Sequence, residues 1–135
     1  VALAGEDVDV GAGFRWPIVA PDWCFATETR GDIEPALIGP RRSQDEQITL
    51  TLSIGSWRQF DGDDLDDPTF TRAFQLLELV QRHIRTLDVT LGGAVLWCMA
   101  GSSSSDGATA DDDTGAGRVT EITAEFICRH RITTL

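Results

Sequence analysis

Apolar and polar residues alternate without a break from Ile48 to Ile54, where Ile48, Leu50, Leu52 and Ile54 are separated by Thr49, Thr51 and Ser53. A period of two with one apolar face predicts a half-buried strand. The strand is expected to run past Gly55 to Trp57 and Phe60, with the glycine marking a bulge or bend. After Pro68 the period changes. Phe70, Ala73, Phe74, Leu77, Val80, Ile84 and Leu87 recur at spacings of three and four, which predicts an amphipathic helix from about Pro68 to Thr86. Arg72, Gln75, Glu78, Arg82 and Arg85 take its other face. Asp67 suits the N-cap and Pro68 the first helical position. The acidic run from Asp61 to Asp67 lies at the positive end of the helix dipole, and Arg82 and Arg85 at the negative end.

Leu91-Gly92-Gly93 ends the helical region. Residues Ala94 to Ala100 are apolar on both faces, which predicts a strand that is central in its sheet or covered on both sides. Gly101 to Gly117 is rich in Ser, Asp and Gly and is expected to be a mobile hairpin loop. Alternation returns from about Arg118 to Thr133: Ile122, Ala124, Phe126, Cys128, His130 and Ile132 share one face, Thr123, Glu125, Arg129 and Arg131 the other. Upstream, residues 1 to 46 are broken by Pro17, Pro21, Pro35 and Pro40. Short strands are expected near Val8 to Val10 and Trp23 to Thr27, with a loop from about Glu28 to Asp45. The elements predict one α+β domain over residues 1–135: a mainly antiparallel sheet of four or five strands, one long helix packed on one face, and a long hairpin loop.

Composition narrows the role. With 135 residues and 41% hydrophobic residues the chain is the size of one globular domain. No stretch approaches the roughly 20 apolar residues of a membrane span, and residues 1 to 10 lack the basic and apolar regions of a signal peptide. The net charge of −11 repels nucleic acid and anionic membranes, so specific DNA or RNA binding is not expected. An acidic surface does suit a channel through which DNA slides without sticking. All 11 basic residues are arginine, as in a GC-rich genome or a chain adapted to high salt. The three cysteines, Cys24, Cys98 and Cys128, form no CxxC pair and read as buried reduced thiols in strands.

Candidate chemistry is sparse. An EF-hand needs a ligand at its fifth position, Gly at its sixth and Glu at its twelfth. Starting from Asp61 the fifth and sixth positions are Leu65 and Asp66; starting from Asp111 the fifth and twelfth are Gly115 and Ile122. Cys98 or Cys128 with His83 or His130 would be the only nucleophile–base combination, but Cys128 and His130 share an apolar strand face. There is no GxSxG, HExxH, Walker loop or GxGxxG. No catalytic, metal-binding or cofactor-binding residue is predicted, and the chain is not expected to be an enzyme. The candidate interface residues are instead Arg15 and Trp16, in an irregular segment before Pro17, and Trp57 and Arg58, because exposed tryptophan is enriched where proteins meet.

The helix and following turn, FTRAFQLLELVQRHIRTLDVTLGGAVLWC, the preceding strand ITLTLSIGSW and the closing strand RVTEITAEFICRHRI together resemble the tail terminator proteins of long-tailed bacteriophages, especially those of actinobacterial phages. The resemblance covers residues 47 to 135, and residues 8 to 30 more loosely. Such proteins usually open on an amphipathic helix, and this chain opens on an irregular segment. The resemblance implies a virion protein, assembled in the host cytoplasm, that forms a homohexameric ring. The ring would cap the tail tube protein, end tail polymerisation and present a surface to the head–tail connector or stopper protein. DNA would pass through its lumen without specific binding, with no membrane and no cofactor involved. Other readings are a different head–tail connector or tail tube subunit, and an unrelated small binding module.

Overall fold

The computed structural model describes residues 7–13, 21–37, 43–59, 66–112 and 115–133. They form five strands and one helix: β1 (Asp9–Ala12), β2 (Asp22–Leu37), β3 (Ser43–Gln59), α1 (Asp66–Thr86), β4 (Trp97–Asp112) and β5 (Gly115–Thr133). The strands make one sheet in the order β1-β2-β3-β5-β4. β2–β3, β3–β5 and β5–β4 pair antiparallel, whereas β1 lies parallel to β2. The α+β class with five strands and one helix is as expected, but the sheet is mixed rather than mainly antiparallel. The parallel β1–β2 pair is the cause.

β3 and β5 are the centre. Their registry runs unbroken from Ser43 opposite Thr133 to Gln59 opposite Gly117. It places Ile54 opposite Ile122, Leu52 opposite Ala124 and Leu50 opposite Phe126 on one face. The helix lies on that face. Ala73, Leu76, Leu77, Val80 and Ile84 join Cys24, Leu52, Ile54, Ile122, Phe126, Cys98 and Cys128 in one buried cluster. The buried helical stripe is rotated from the expected one. Leu76 is fully buried, while Phe70, Phe74 and Leu87 face solvent, the two phenylalanines tilted together with ring centroids 4.6 Å apart. Thr69 takes the inward place at the first turn, where its hydroxyl pairs with that of Thr120 at 3.1 Å. A buried hydroxyl partner on β5 thus fixes the helix rotation that hydrophobic spacing alone left open.

Gly55 marks neither a bulge nor a bend. β3 passes straight through it, and a Cβ there would run into the ring of Trp23 on β2. Trp23 lies over this gap on the face away from the helix and donates its indole N–H to Ser53 Oγ at 3.1 Å. The adjacent Phe25 is fully buried on the same face. The expected loop from Glu28 to Asp45 is largely strand: β2 and β3 pair out to Leu37 opposite Ser43, with register shifts at Ala26/Glu28 and Pro35/Leu37. The expected mobile loop at Gly101 to Gly117 is also mostly strand. β4 pairs with β5 from Trp97 opposite Arg129 to Asp112 opposite Gly115, with one register shift between Ala100 and Ser103. Polar, small residues suffice here because β5 supplies a backbone partner for each turn of the ladder.

Candidate functional site

Among the described residues β4 forms one edge of the sheet and pairs with β5 alone. It is not the doubly covered strand that its apolar start predicts. Of the side chains from Trp97 to Asp106, Cys98 alone is turned into the core, and those from Met99 to Asp106 are exposed. Trp97 and Met99 stand on the face away from the helix, 38% and 53% exposed. Past Cys98, whose N–H is taken by the Val89 carbonyl, the free side of this 16-residue strand offers a row of backbone N–H and C=O groups among the described residues, and exposed hydrophobics lie at its start. Leu96, 47% exposed, lies in the turn that enters the strand, and Leu87, 79% exposed, directly follows α1.

That turn is set by its own chemistry. Leu91 (φ 49°), Gly92 (φ 69°) and Gly93 (φ 88°) are consecutive left-handed residues, two of them glycines that bear this conformation at little cost. Asp88 Oδ1 accepts from the Gly92 N–H at 2.7 Å, and Thr90 Oγ1 accepts from the Gly93 N–H at 3.2 Å. The Cys98 N–H then donates to the Val89 carbonyl at 2.7 Å, pinning the start of β4 to the turn. Beside it, Leu79, Arg82, His83, Thr86 and Leu87 line a shallow groove on the last turns of α1.

The opposite end of the helix is fastened by a charged clasp. Asp22, at the start of β2, is buried and accepts from Ser56 Oγ at 2.7 Å, from Arg58 at 2.8 Å and from Arg72 Nε on α1 at 2.9 Å. Burial pushes its carboxyl up and is the largest single influence. The hydrogen bonds from Arg58, Arg72 and Ser56, with the Arg58 charge, together outweigh it and hold the group below its ordinary value. A second node lies towards the β2–β3 hairpin. Arg131 grips Asp45 at 2.8 and 3.3 Å, Arg129 approaches it at 3.7 Å, and these contacts lower the Asp45 carboxyl.

Of the residues predicted for an interface, Trp57 and Arg58 are half-buried. Arg58 is committed to Asp22, and the Trp57 indole packs where Gly117 leaves room for it. Arg15 and Trp16 lie outside the described residues. The exposed apolar start of β4 was missed because Trp97 and Met99 read as core in an apolar run. Their alternation with inward-facing Cys98 was the available signal.

The catalytic pairings considered from sequence are not assembled. His130 Nδ1 lies 3.5 Å from Glu46, and Cys128 donates its thiol to Cys98 Sγ at 3.1 Å. Burial pushes the Cys24 thiol up to about 11; burial, the neighbouring Cys128 and the Asp88 charge push Cys98 up to about 12. Such thiols are protonated at neutral pH and poor nucleophiles. Among the described residues no three His, Cys, Asp or Glu side chains gather as a metal site, and no helix is long and apolar enough to cross a membrane. No protein-family model matches the chain, and no curated protein matches it.

Proposed function

We propose that this chain is a structural subunit of a phage tail, of the tail terminator kind, which closes into a ring and caps the tail tube. The observation that carries the reading is the open β4 edge, 16 residues long, with Trp97 and Met99 exposed at its start. Lysine, proline and β-bulges are among the devices that keep such an edge from pairing, and β4 carries one irregularity, between Ala100 and Ser103. Its sequence, WCMAGSSSSDGATADD, has neither lysine nor proline. β1 forms the other edge of the same sheet. An edge of one subunit meeting a different edge of the next is a heterologous contact, and such contacts close rings when the rotation allows. Six copies is the number that the family resemblance implies. The net charge of −11 would leave a lumen that DNA traverses without being held. The tail tube protein and the head–tail connector would meet the two faces of the ring.

The test is the solution mass of the purified chain by light scattering, with negative-stain imaging of any large species. Closed rings of uniform size, alone or on added tail tubes, are the expected result. Open filaments would move the reading to a tube subunit. A monomer that neither assembles nor binds tube ends would end the tail reading altogether.

A further inference from the structure

Two of the three cysteines meet in the core. Cys98 on β4 and Cys128 on β5 stand directly opposite one another, both buried, with their sulfurs 3.1 Å apart. Directly opposed residues of an antiparallel pair have Cα atoms about 4.5–5.5 Å apart. Disulfides span roughly 4.4–6.8 Å, so the backbone is already placed for a bond. The sulfurs need to close by only about 1 Å to reach a bonding distance of ~2.05 Å. Cys24 has no such partner. It is opposite Ile54, which is opposite Ile122, six residues along β5 from Cys128 and therefore roughly 20 Å away along the strand.

We propose that Cys98 and Cys128 are a reversible dithiol–disulfide couple, closed by a small disulfide oxidant such as oxidised glutathione, that staples the start of the edge strand to the centre of the sheet. In the forward step one cysteine thiolate attacks a sulfur of the oxidant and releases one molecule of reduced thiol. The second cysteine thiolate then displaces the other thiol from the mixed disulfide. The protein loses two hydrogens and two electrons, and the oxidant leaves as two thiols.

Access comes from β4 itself. The start of β4 is held by β5 and by the Cys98 N–H bond to the Val89 carbonyl, and local opening there exposes Cys98 without unfolding the centre. Burial keeps the Cys98 thiol protonated in the closed strand, so the reduced form persists until the strand opens in the presence of an oxidant. The bond ties the turn at residues 87–96 and the exposed Trp97 and Met99 to β5, and it would do so in a monomer as in a ring.

The experiment treats the full-length chain with oxidised glutathione and then alkylates it in denaturant under acid quench. The untreated chain takes three alkyl groups. The expected oxidised product takes one, on Cys24, weighs less by two hydrogens before alkylation, and yields a linked peptide pair containing Cys98 and Cys128. Dithiothreitol restores all three sites. The variant Cys24→Ala should behave alike, with none of its two thiols left after oxidation. Three alkylated cysteines after oxidation, a glutathione adduct that never resolves, a bond that includes Cys24, or a bond between two chains would each overturn the proposal.

Discussion

β3 and β4 pair with the same strand, β5, from opposite sides, and different forces hold them. β3 is central. Its inward side chains Leu52 and Ile54 are buried under the helix, and β2 covers its other edge. β4 has a backbone ladder of similar length, but after Cys98 it buries little of its side-chain surface up to Asp106. Apolar burial stabilises β3, at roughly 25 cal/mol for each Å² removed from water. β4 rests on hydrogen bonds whose net worth is about 1 kcal/mol each, because water competes for the same groups. One side of β5 is therefore built for stability, and the other leaves backbone and hydrophobic side chains available to a partner.

The contrast can be broken most severely from the β3 side. Ile54→Ala removes a fully buried side chain between Cys24, Ile122 and the helix. It should lower unfolding free energy by about 2–5 kcal/mol in a denaturant titration. Gly55→Ala should cost about 1–3 kcal/mol by overpacking, since its methyl must displace the Trp23 ring. Trp23 fluorescence would report that displacement, and an unchanged emission with unchanged stability would refute the packing account.

The clasp at Asp22 comes next. Asp22→Asn should cost about 1–3 kcal/mol at neutral pH, less than opening a fully buried pair, because Arg58 and Arg72 keep part of their surface in water. The sign with pH follows from the lowered carboxyl. Its folded-state value lies below the ordinary 3.8, so the contribution is present above about pH 4–5 and is lost as pH falls through the folded value. Denaturation midpoints measured against pH should show the native protein and Asp22→Asn converging below about pH 4. A gap that stays constant into acid would mean that the carboxylate charge is not what fastens the helix.

These differences also explain what could be read from the residues alone. Ile48 to Ile54 and Ile122 to Cys128 must bury one face, so their alternation announces the strands. Ser102 to Asp112 has no face to bury, so nothing in its side chains distinguishes an edge strand from a loop. Its partner β5 decides the matter. The helix was legible in extent, but its rotation was not, because Phe70 and Phe74 outweigh Thr69 on any hydrophobic scale while the Thr69–Thr120 hydrogen bond sets the actual face. The parallel placement of β1 is a matter of sheet topology, which local pattern does not encode. The candidate contact edge was hidden for the same reason as the strand: Trp97 and Met99 look like core until the sheet order puts them on its rim.

The smallest effect on stability should come from the β4 side. Trp97→Ser and Met99→Ser remove side chains that are 38% and 53% exposed, on a strand with one partner. Met99→Ser should change unfolding free energy by about 0.5–1 kcal/mol and Trp97→Ser by about 1–2 kcal/mol. If the edge is where subunits meet, the double substitution should nevertheless abolish ring formation in light scattering, because a hydrophobic anchor at a contact carries far more than its share of the binding energy. Ile54→Ala makes the opposite prediction: a less stable subunit that still assembles at low temperature, where enough of it remains folded. Equal loss of assembly in the two variants would mean that assembly follows overall stability. Loss confined to the β4 variant would place the contact on the open edge.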